Sequence, residues 1–163
     1  MSVSCGDFRT FAVTEEGKLY VFGNNSRGIL GTGRFVTDHQ PIPYRISHET
    51  VFASEEVGMI ASSSFSNAVV TKQGSLFTWG SWGLGHGRGV TDSAQVYIDK
   101  TTFEASPIIM VACGFSGSIA LTKTGGVWTC GKNQHVGTHA PRSLCLRPGK
   151  STTFLIGHFP GGG

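Results

Sequence analysis

Charged side chains are scarce in this chain. Asp, Glu, Lys and Arg make up 14% of the 163 residues, against about 25% in an average globular protein. Proline occurs 6 times, and glycine shows no period of three, which excludes a collagen-like triple helix. Glycines also interrupt every window long enough for a long helix, so a coiled coil is excluded.

Long apolar runs are missing as well. The longest, Ile108–Cys113, is far too short to span a membrane. The N-terminus lacks the basic start and apolar stretch of a signal peptide, and 4 cysteines do not make a disulfide scaffold. These absences predict an intracellular, cytoplasmic or nuclear, protein with reduced thiols and no membrane partner.

Glycine and aromatic residues are abundant instead. The chain has 24 glycines and 11 phenylalanines, and 39% of its residues are hydrophobic. This apolar content and the small net charge of +3 argue against disorder. A glycine-rich, aromatic-rich chain with many turns is typical of an all-β protein.

One pattern occurs three times. Residues 3–23, 60–80 and 111–131 align without a gap. Threonine stands at one shared position and glycine at two others: Thr14, Thr71 and Thr122; Gly17, Gly74 and Gly125; Gly23, Gly80 and Gly131. A repeat of this kind indicates an array of similar structural units.

Each copy predicts a β-hairpin. An apolar run ends at the threonine, a glycine follows that tolerates the positive φ of a tight turn, and a second apolar run ends at the second glycine. Both sets are predicted to be structural turn glycines: Gly17, Gly23, Gly74, Gly80, Gly125 and Gly131. Further strand-like stretches, such as Ile42–Ile46, lie between copies. The pattern divides the chain into units at 1–59, 60–110 and 111–140, followed by a divergent basic segment at 141–163. Three to four strands per unit is typical of a propeller blade.

The first copy carries a specific resemblance. Cys5-Gly6, Phe11–Thr14, Gly17, Leu19–Asn25 and Gly28–Gly33 resemble the repeat of the regulator of chromosome condensation family. The resemblance implies a seven-bladed β-propeller. The match is divergent, because the frequent histidine of the family repeat is replaced in the three copies by Arg9, Ser66 and Gly117.

Three repeats are too few to close a ring of four to eight blades. The predicted fold class is therefore all-β, a partial β-propeller of about three blades of antiparallel strands that this chain alone does not close. Two apolar blade faces are expected to be uncovered, and large apolar patches usually mark an interface. We expect either a part of a longer propeller or a subunit that other chains complete.

Catalytic and metal-binding patterns are weak. Gly149-Lys150-Ser151 resembles the end of a phosphate-binding loop, but the earlier glycine of that motif is replaced by Leu144. Four residues have the chemistry of zinc ligands at spacings that match no common pattern: Cys130, His135, His139 and Cys145. The sequence therefore predicts no catalytic residue, metal or cofactor.

The C-terminal third is basic, since no acidic residue follows Glu104. Six residues there form a candidate partner-binding surface: Lys132, His135, His139, Arg142, Arg147 and Lys150. Such a surface suits an acidic protein or, with less support, nucleic acid. An ordinary solvated face is the alternative.

Three functions fit these features. The first is a non-enzymatic interaction or scaffold module with protein partners, within a larger protein or complex. The second is implied by the family: nucleotide exchange on a small GTPase, with chromatin binding, although no segment matches the exchange wedge. The third is a substrate-binding propeller of a larger signalling protein or ubiquitin ligase.

Overall fold

A computed structural model of the protein describes residues 1–32, 39–80, 92–98, 103, 105–115, 117–131 and 157–159. Its helices are short, a 3-10 turn at Ser26–Gly28 and α1 at His48–Val51. In this part of the chain, no helix has the length and hydropathy to cross a bilayer.

Strands dominate the structure and form three antiparallel sheets of four strands, each built from strands that are consecutive in sequence. The first sheet contains β1 (Ser2–Gly6), β2 (Arg9–Val13), β3 (Leu19–Asn24) and β4 (His39–Ile46). The second contains β5 (Val57–Ser62), β6 (Ser66–Thr71), β7 (Leu76–Gly80) and β8 (Asp92–Ile98). The third contains β9 (Ile108–Cys113), β10 (Gly117–Thr122), β11 (Val127–Gly131) and β12 (Gly157–Phe159).

The sheets are three blades of a partial β-propeller, as the sequence predicted. Strand β5 lies against β1 and β2, and β9 lies against β5 and β6. Strand β5 begins at Val57, which pairs with Thr71, and strand β9 begins at Ile108, which pairs with Thr122. The segment 141–163 contributes β12, which pairs with β11.

The middle blade is buried on both faces. Every residue of β6 and β7 is buried, whereas β2 alternates between buried and partly exposed positions. Successive side chains of a strand point to opposite faces, so a fully buried strand belongs to a sheet that is covered on both sides. Blades one and three supply the two covers.

The repeated threonine and the first glycine form the turn that joins the second and third strands of each blade. We call it the β2–β3 type of turn. In blade two, Thr71 O accepts a hydrogen bond from Gly74 N at 2.9 Å, and Thr71 Oγ1 accepts one from Ser75 N at 3.0 Å. The other blades repeat both contacts. The turn glycines have positive φ, at +73°, +80° and +87° for Gly17, Gly74 and Gly125.

The second set of glycines lies in strands and not in turns. Gly23 is in β3, and Gly80 and Gly131 end β7 and β11. Gly23 and Gly80 have φ of 110° and 124°, and a Cβ on either would lie 2.3 Å from a backbone oxygen, that of Phe8 or Phe65. Glycine is needed there because both a left-handed conformation and a close approach exclude a side chain.

Two alanine substitutions separate these effects. We expect Gly125→Ala to lower the free energy of unfolding by about 1–2 kcal/mol, the cost of positive φ alone, because nothing lies within 4 Å of its added Cβ. Gly80→Ala adds a clash with the Phe65 carbonyl and should cost about 1–3 kcal/mol more. Urea unfolding followed by circular dichroism measures both, and equal losses would contradict the close-approach role.

Candidate functional site

The basic surface predicted from sequence lies outside the described residues. All six of its members fall between residues 132 and 156: Lys132, His135, His139, Arg142, Arg147 and Lys150. Of the four zinc-type residues, the backbone of Cys130 alone is described. Among the residues that the structure does describe, no group of three His, Cys, Asp or Glu side chains could hold a metal ion.

Exposed carboxylates lie near the turn that joins the second and third strands of a blade. Glu15 and Glu16 are exposed, and a hydrogen bond with the Thr14 side chain holds the pKa of Glu16 below its ordinary value. Glu56 forms a half-exposed ion pair with Lys72 at 2.6 Å. These contacts are those of a solvated surface, where an ion pair contributes little to stability.

The described part of the molecule concentrates its apolar side chains at the blade junctions. Between blades one and two, Phe11, Val13, Leu19 and Val21 pack against the second sheet. The second sheet contributes five side chains to the same core: Val57, Ile60, Val69, Phe77 and Trp79. The rings of Phe11 and Trp79 meet edge to face with centroids 6.1 Å apart, an arrangement that aromatic pairs favour.

One backbone carbonyl fixes the orientation of this junction. Ile29 O, in the loop that follows β3, accepts hydrogen bonds from Asn67 Nδ2 at 2.8 Å and from Trp79 Nε1 at 2.9 Å. Both donors are fully buried, so both require a partner. Blade two therefore binds a loop of blade one through directional contacts as well as through its apolar face.

Arg9 makes a second polar link across the same junction. Its guanidinium donates from NH2 to the backbone oxygens of Ser63, at 2.7 Å, and of Ser64. Arg9 is buried, and Nε has no hydrogen-bond partner in the described structure. Burial lowers the pKa of Arg9, and the nearby Asp7 carboxylate opposes this shift. The residue that departs from the family histidine thus joins blade one to blade two.

Blade three packs on the opposite face of blade two. Val111, Ala120 and Trp128 belong to a second core with residues of β5, β6 and β7. Phe103 closes this core against Trp128, with ring centroids 5.5 Å apart. The side chain of Cys113 packs at the edge, where burial raises the pKa of its thiol and a hydrogen bond from Ser118 opposes the rise.

The two junctions use equivalent repeat positions. Blade two meets blade one through Ile60, Val69 and Phe77, and blade three meets blade two through Val111, Ala120 and Trp128. These two sets occupy the same places in the aligned repeats. Each blade therefore has one type of face toward the preceding blade and another toward the following blade.

Blade one has an uncovered face of the first type. At the equivalent positions it carries Val3, Ala12, Tyr20 and, one pair further along the strands, Phe22. Val3 is 62% exposed, and Cys5 on the same face is also exposed. Since the matching face of blade two is buried, this face lacks the cover that its repeat partner has.

Blade three has an uncovered face of the second type. Met110, Leu121 and Val127 lie in one cross-strand row, and Ile119 lies in the next. Met110 is 56% exposed and Ile119 43%. The sequence had predicted two apolar blade faces without a cover, and the described strands place them at opposite ends of the array.

Comparisons with known proteins agree on one repeat type. Sequence models described as "Regulator of chromosome condensation (RCC1) repeat" match residues 2–29, 108–135 and 16–70. The chain is 30% identical over 135 residues to the ultraviolet-B receptor UVR8 of Arabidopsis thaliana, covering 82% of the chain and 29% of that protein. It is 35% identical over 133 residues to "RCC1 domain-containing protein RUG3, mitochondrial" of the same plant, covering 80% and 28%.

Solved structures show the same fold. Human WBSCR16 superposes with a TM-score of 0.69 at 23% identity, over 81% of this chain and 33% of the other. Prp20p of Saccharomyces cerevisiae, described together with its binding to Gsp1p and histones, gives 0.62 at 19% identity, over 79% and 32%. The chain thus spans about a third or less of the length of these relatives.

Replacing Arg9 tests the polar link between blades one and two. We expect Arg9→Ala to lower the free energy of unfolding by about 2–4 kcal/mol, because two buried charged hydrogen bonds are lost and two carbonyls lose a donor. Arg45→Ala is the matched control, since Arg45 forms only an exposed ion pair with Glu49 at 3.5 Å and should change the stability by less than about 1 kcal/mol. Equal effects in thermal unfolding would contradict the link.

Cysteine alkylation tests the difference between the two described thiols. Cys5 is exposed, whereas burial raises the pKa of Cys113 and keeps it protonated to higher pH. Because the thiolate is the nucleophile, iodoacetamide should modify Cys5 first. The rate of Cys113 modification should increase only at a higher pH than it would for a thiol of ordinary pKa. Peptide mass mapping assigns each site, and faster modification of Cys113 would contradict the buried junction.

Proposed function

The chain belongs to the regulator of chromosome condensation (RCC1) repeat family, and on this premise we propose that it is a non-enzymatic protein-interaction module. It contributes three successive blades to a larger propeller, in a longer protein or in a complex. The intracellular location stays a prediction from the sequence.

The covered middle blade is the observation that supports this proposal most. It is covered on both sides, by the second type of face of blade one and by the first type of face of blade three. The end faces carry the same apolar repeat positions, including Val3 and Ile119, in exposed form. Further blades of the same repeat are the cover that both faces fit, because they would reproduce junctions that the chain already contains.

Protein partners fit the properties of the relatives. The similar proteins include "Serine/threonine-protein kinase Nek9" and "E3 ubiquitin-protein ligase HERC2". The matched region covers 14% of the first and 3% of the second. We therefore propose that the propeller binds, and that any reaction belongs to another domain or to the partner. The basic residues from Lys132 to Lys150 stay a predicted partner surface.

Cys5 reports whether blade one is covered. We expect Cys5 to be alkylated rapidly in the chain of 163 residues and to be protected at least about tenfold when further blades are present, because it lies on the uncovered face. Size-exclusion chromatography with light scattering identifies the protected species. Val3→Asp should prevent protection, and the control Ile42→Asp, on the outer strand β4, should not.

One combination of results would contradict this proposal. A monomer of this chain that unfolds in one cooperative transition, with Cys5 protected and Val3→Asp without effect, would show that the faces need no further blade. The same samples are examined by chemical unfolding, so loss of protection through misfolding is detected directly.

Nucleotide exchange is the second candidate, because the fold is shared with Prp20p, which is described with its binding to Gsp1p. Under the interaction-module proposal, the protein should not accelerate release of a fluorescent guanine nucleotide from any member of a small-GTPase panel. EDTA-induced release is the positive control. Stimulation that scales with protein concentration would overturn the non-enzymatic assignment and favour exchange.

A further inference from the structure

The two rims of the blade array differ in chemistry. The β2–β3 type of turn carries charged exposed residues such as Glu15, Glu16, Lys72 and Lys123. At the other end of the strands, the loops that join β1 to β2, β5 to β6 and β9 to β10 each carry a phenylalanine: Phe8, Phe65 and Phe115. We call this second end the aromatic rim.

These phenylalanines are not part of the blade cores. Phe8 is 87% exposed and Phe115 is 69% exposed, so neither ring gains the stabilisation that burial of a phenylalanine side chain would give. Phe65 and Phe115 contact each other edge to face across the boundary of blades two and three, with centroids 5.0 Å apart. Three neighbouring blades thus place aromatic side chains along one edge, where they add little to folding.

The loops hold these rings on an ordered backbone. Phe8 has φ of 56°, an unusual value for an aromatic residue, and its carbonyl accepts a hydrogen bond from Asn24 N at 2.8 Å. In the next loop, Ser63 Oγ accepts hydrogen bonds from Phe65 N at 3.4 Å and from Ser66 N at 3.1 Å. Rigid aromatic side chains bind partners at a low entropic cost.

The charges of these three loops select the kind of partner. Among their described residues, the exposed charge is the carboxylate of Asp7, because Arg9 is buried with its guanidinium on backbone carbonyls. Single-stranded nucleic acid and anionic membranes both need exposed cations beside the aromatic rings. Centres of protein interfaces are instead rich in aromatic residues and poor in charge.

We propose that the aromatic rim binds an apolar segment of a protein partner, through Phe8 and the Phe65–Phe115 pair as anchors. The segment presents aliphatic or aromatic side chains and no acidic group that would face Asp7. This inference rests on the proposed function, since it names the surface with which the interaction module makes its contact.

Peptide selection on the full chain tests the rim. The probe is a random dodecapeptide library displayed on phage, followed by affinity measurements with the enriched peptides. We expect peptides with two or more apolar side chains, whose affinity falls about tenfold or more for Phe8→Ala and for Phe115→Ala. Ile42→Ala is the control, since Ile42 is 72% exposed on β4 and away from these loops. Thermal unfolding should be similar for all three variants.

Each other outcome has a defined meaning. Enriched peptides that bind the Phe8→Ala, Phe115→Ala double variant unchanged would overturn the rim while the interaction function stands. Rim-dependent binding of phosphatidylserine vesicles or of oligothymidylate, without peptide binding, would overturn the proposed partner chemistry. A library that yields no binder would overturn the rim as a peptide-binding surface, whereas the interaction function is tested separately by the protection of Cys5. If Phe8→Ala fails to fold, Phe115→Ala alone decides between these outcomes.

Discussion

A sheet that is apolar on both faces has to lie between two covers. In this chain the requirement follows from strands such as β6 and β7, in which every side chain is buried. Because alternate residues point to opposite sides, neither face can be left in water without exposing large side chains such as Trp79 or Leu76. The side-by-side arrangement of blades is the solution, and the uncovered faces at the ends are its consequence.

Polar contacts decide how one blade sits on the next. Apolar packing is non-directional, so it tolerates sliding of one sheet over another. The Ile29 carbonyl accepts hydrogen bonds from two buried donors of the following blade, and the Arg9 guanidinium donates to the Ser63 carbonyl. Both contacts form only at one position of blade two relative to blade one. These contacts are not repeated at identical residues in blade three, where Ser118 occupies the position of Asn67. The two junctions share the same pattern of apolar faces but differ in the polar contacts between the blades.

Local features of the fold could be predicted from sequence, and long-range features could not. The blade architecture was confirmed, because it depends on residues a few positions apart, repeated three times. The threonine–glycine turns of the structure likewise join residues that are close in sequence. The strand position of Gly80 could not be recognised, because its contact with the Phe65 carbonyl joins residues of different strands. The sequence shows Arg9 only as a departure from the family pattern. Its role could not be predicted, because the carbonyl groups that it binds lie in the next blade. The basic surface stays a prediction, because it lies outside the described residues.

Consecutive strands make up every sheet, so no blade exchanges a strand with its neighbour. A force applied along the array would therefore act on the blade junctions one after another. Each blade could then separate as a complete four-stranded sheet. The array should extend in separate steps of similar length, with the junction held by Arg9 and Ile29 yielding at a higher force than the one beside Trp128. The hydrogen bonds of Arg9 and Ile29 between blades should thus add to the mechanical resistance that the apolar cores of the junctions provide.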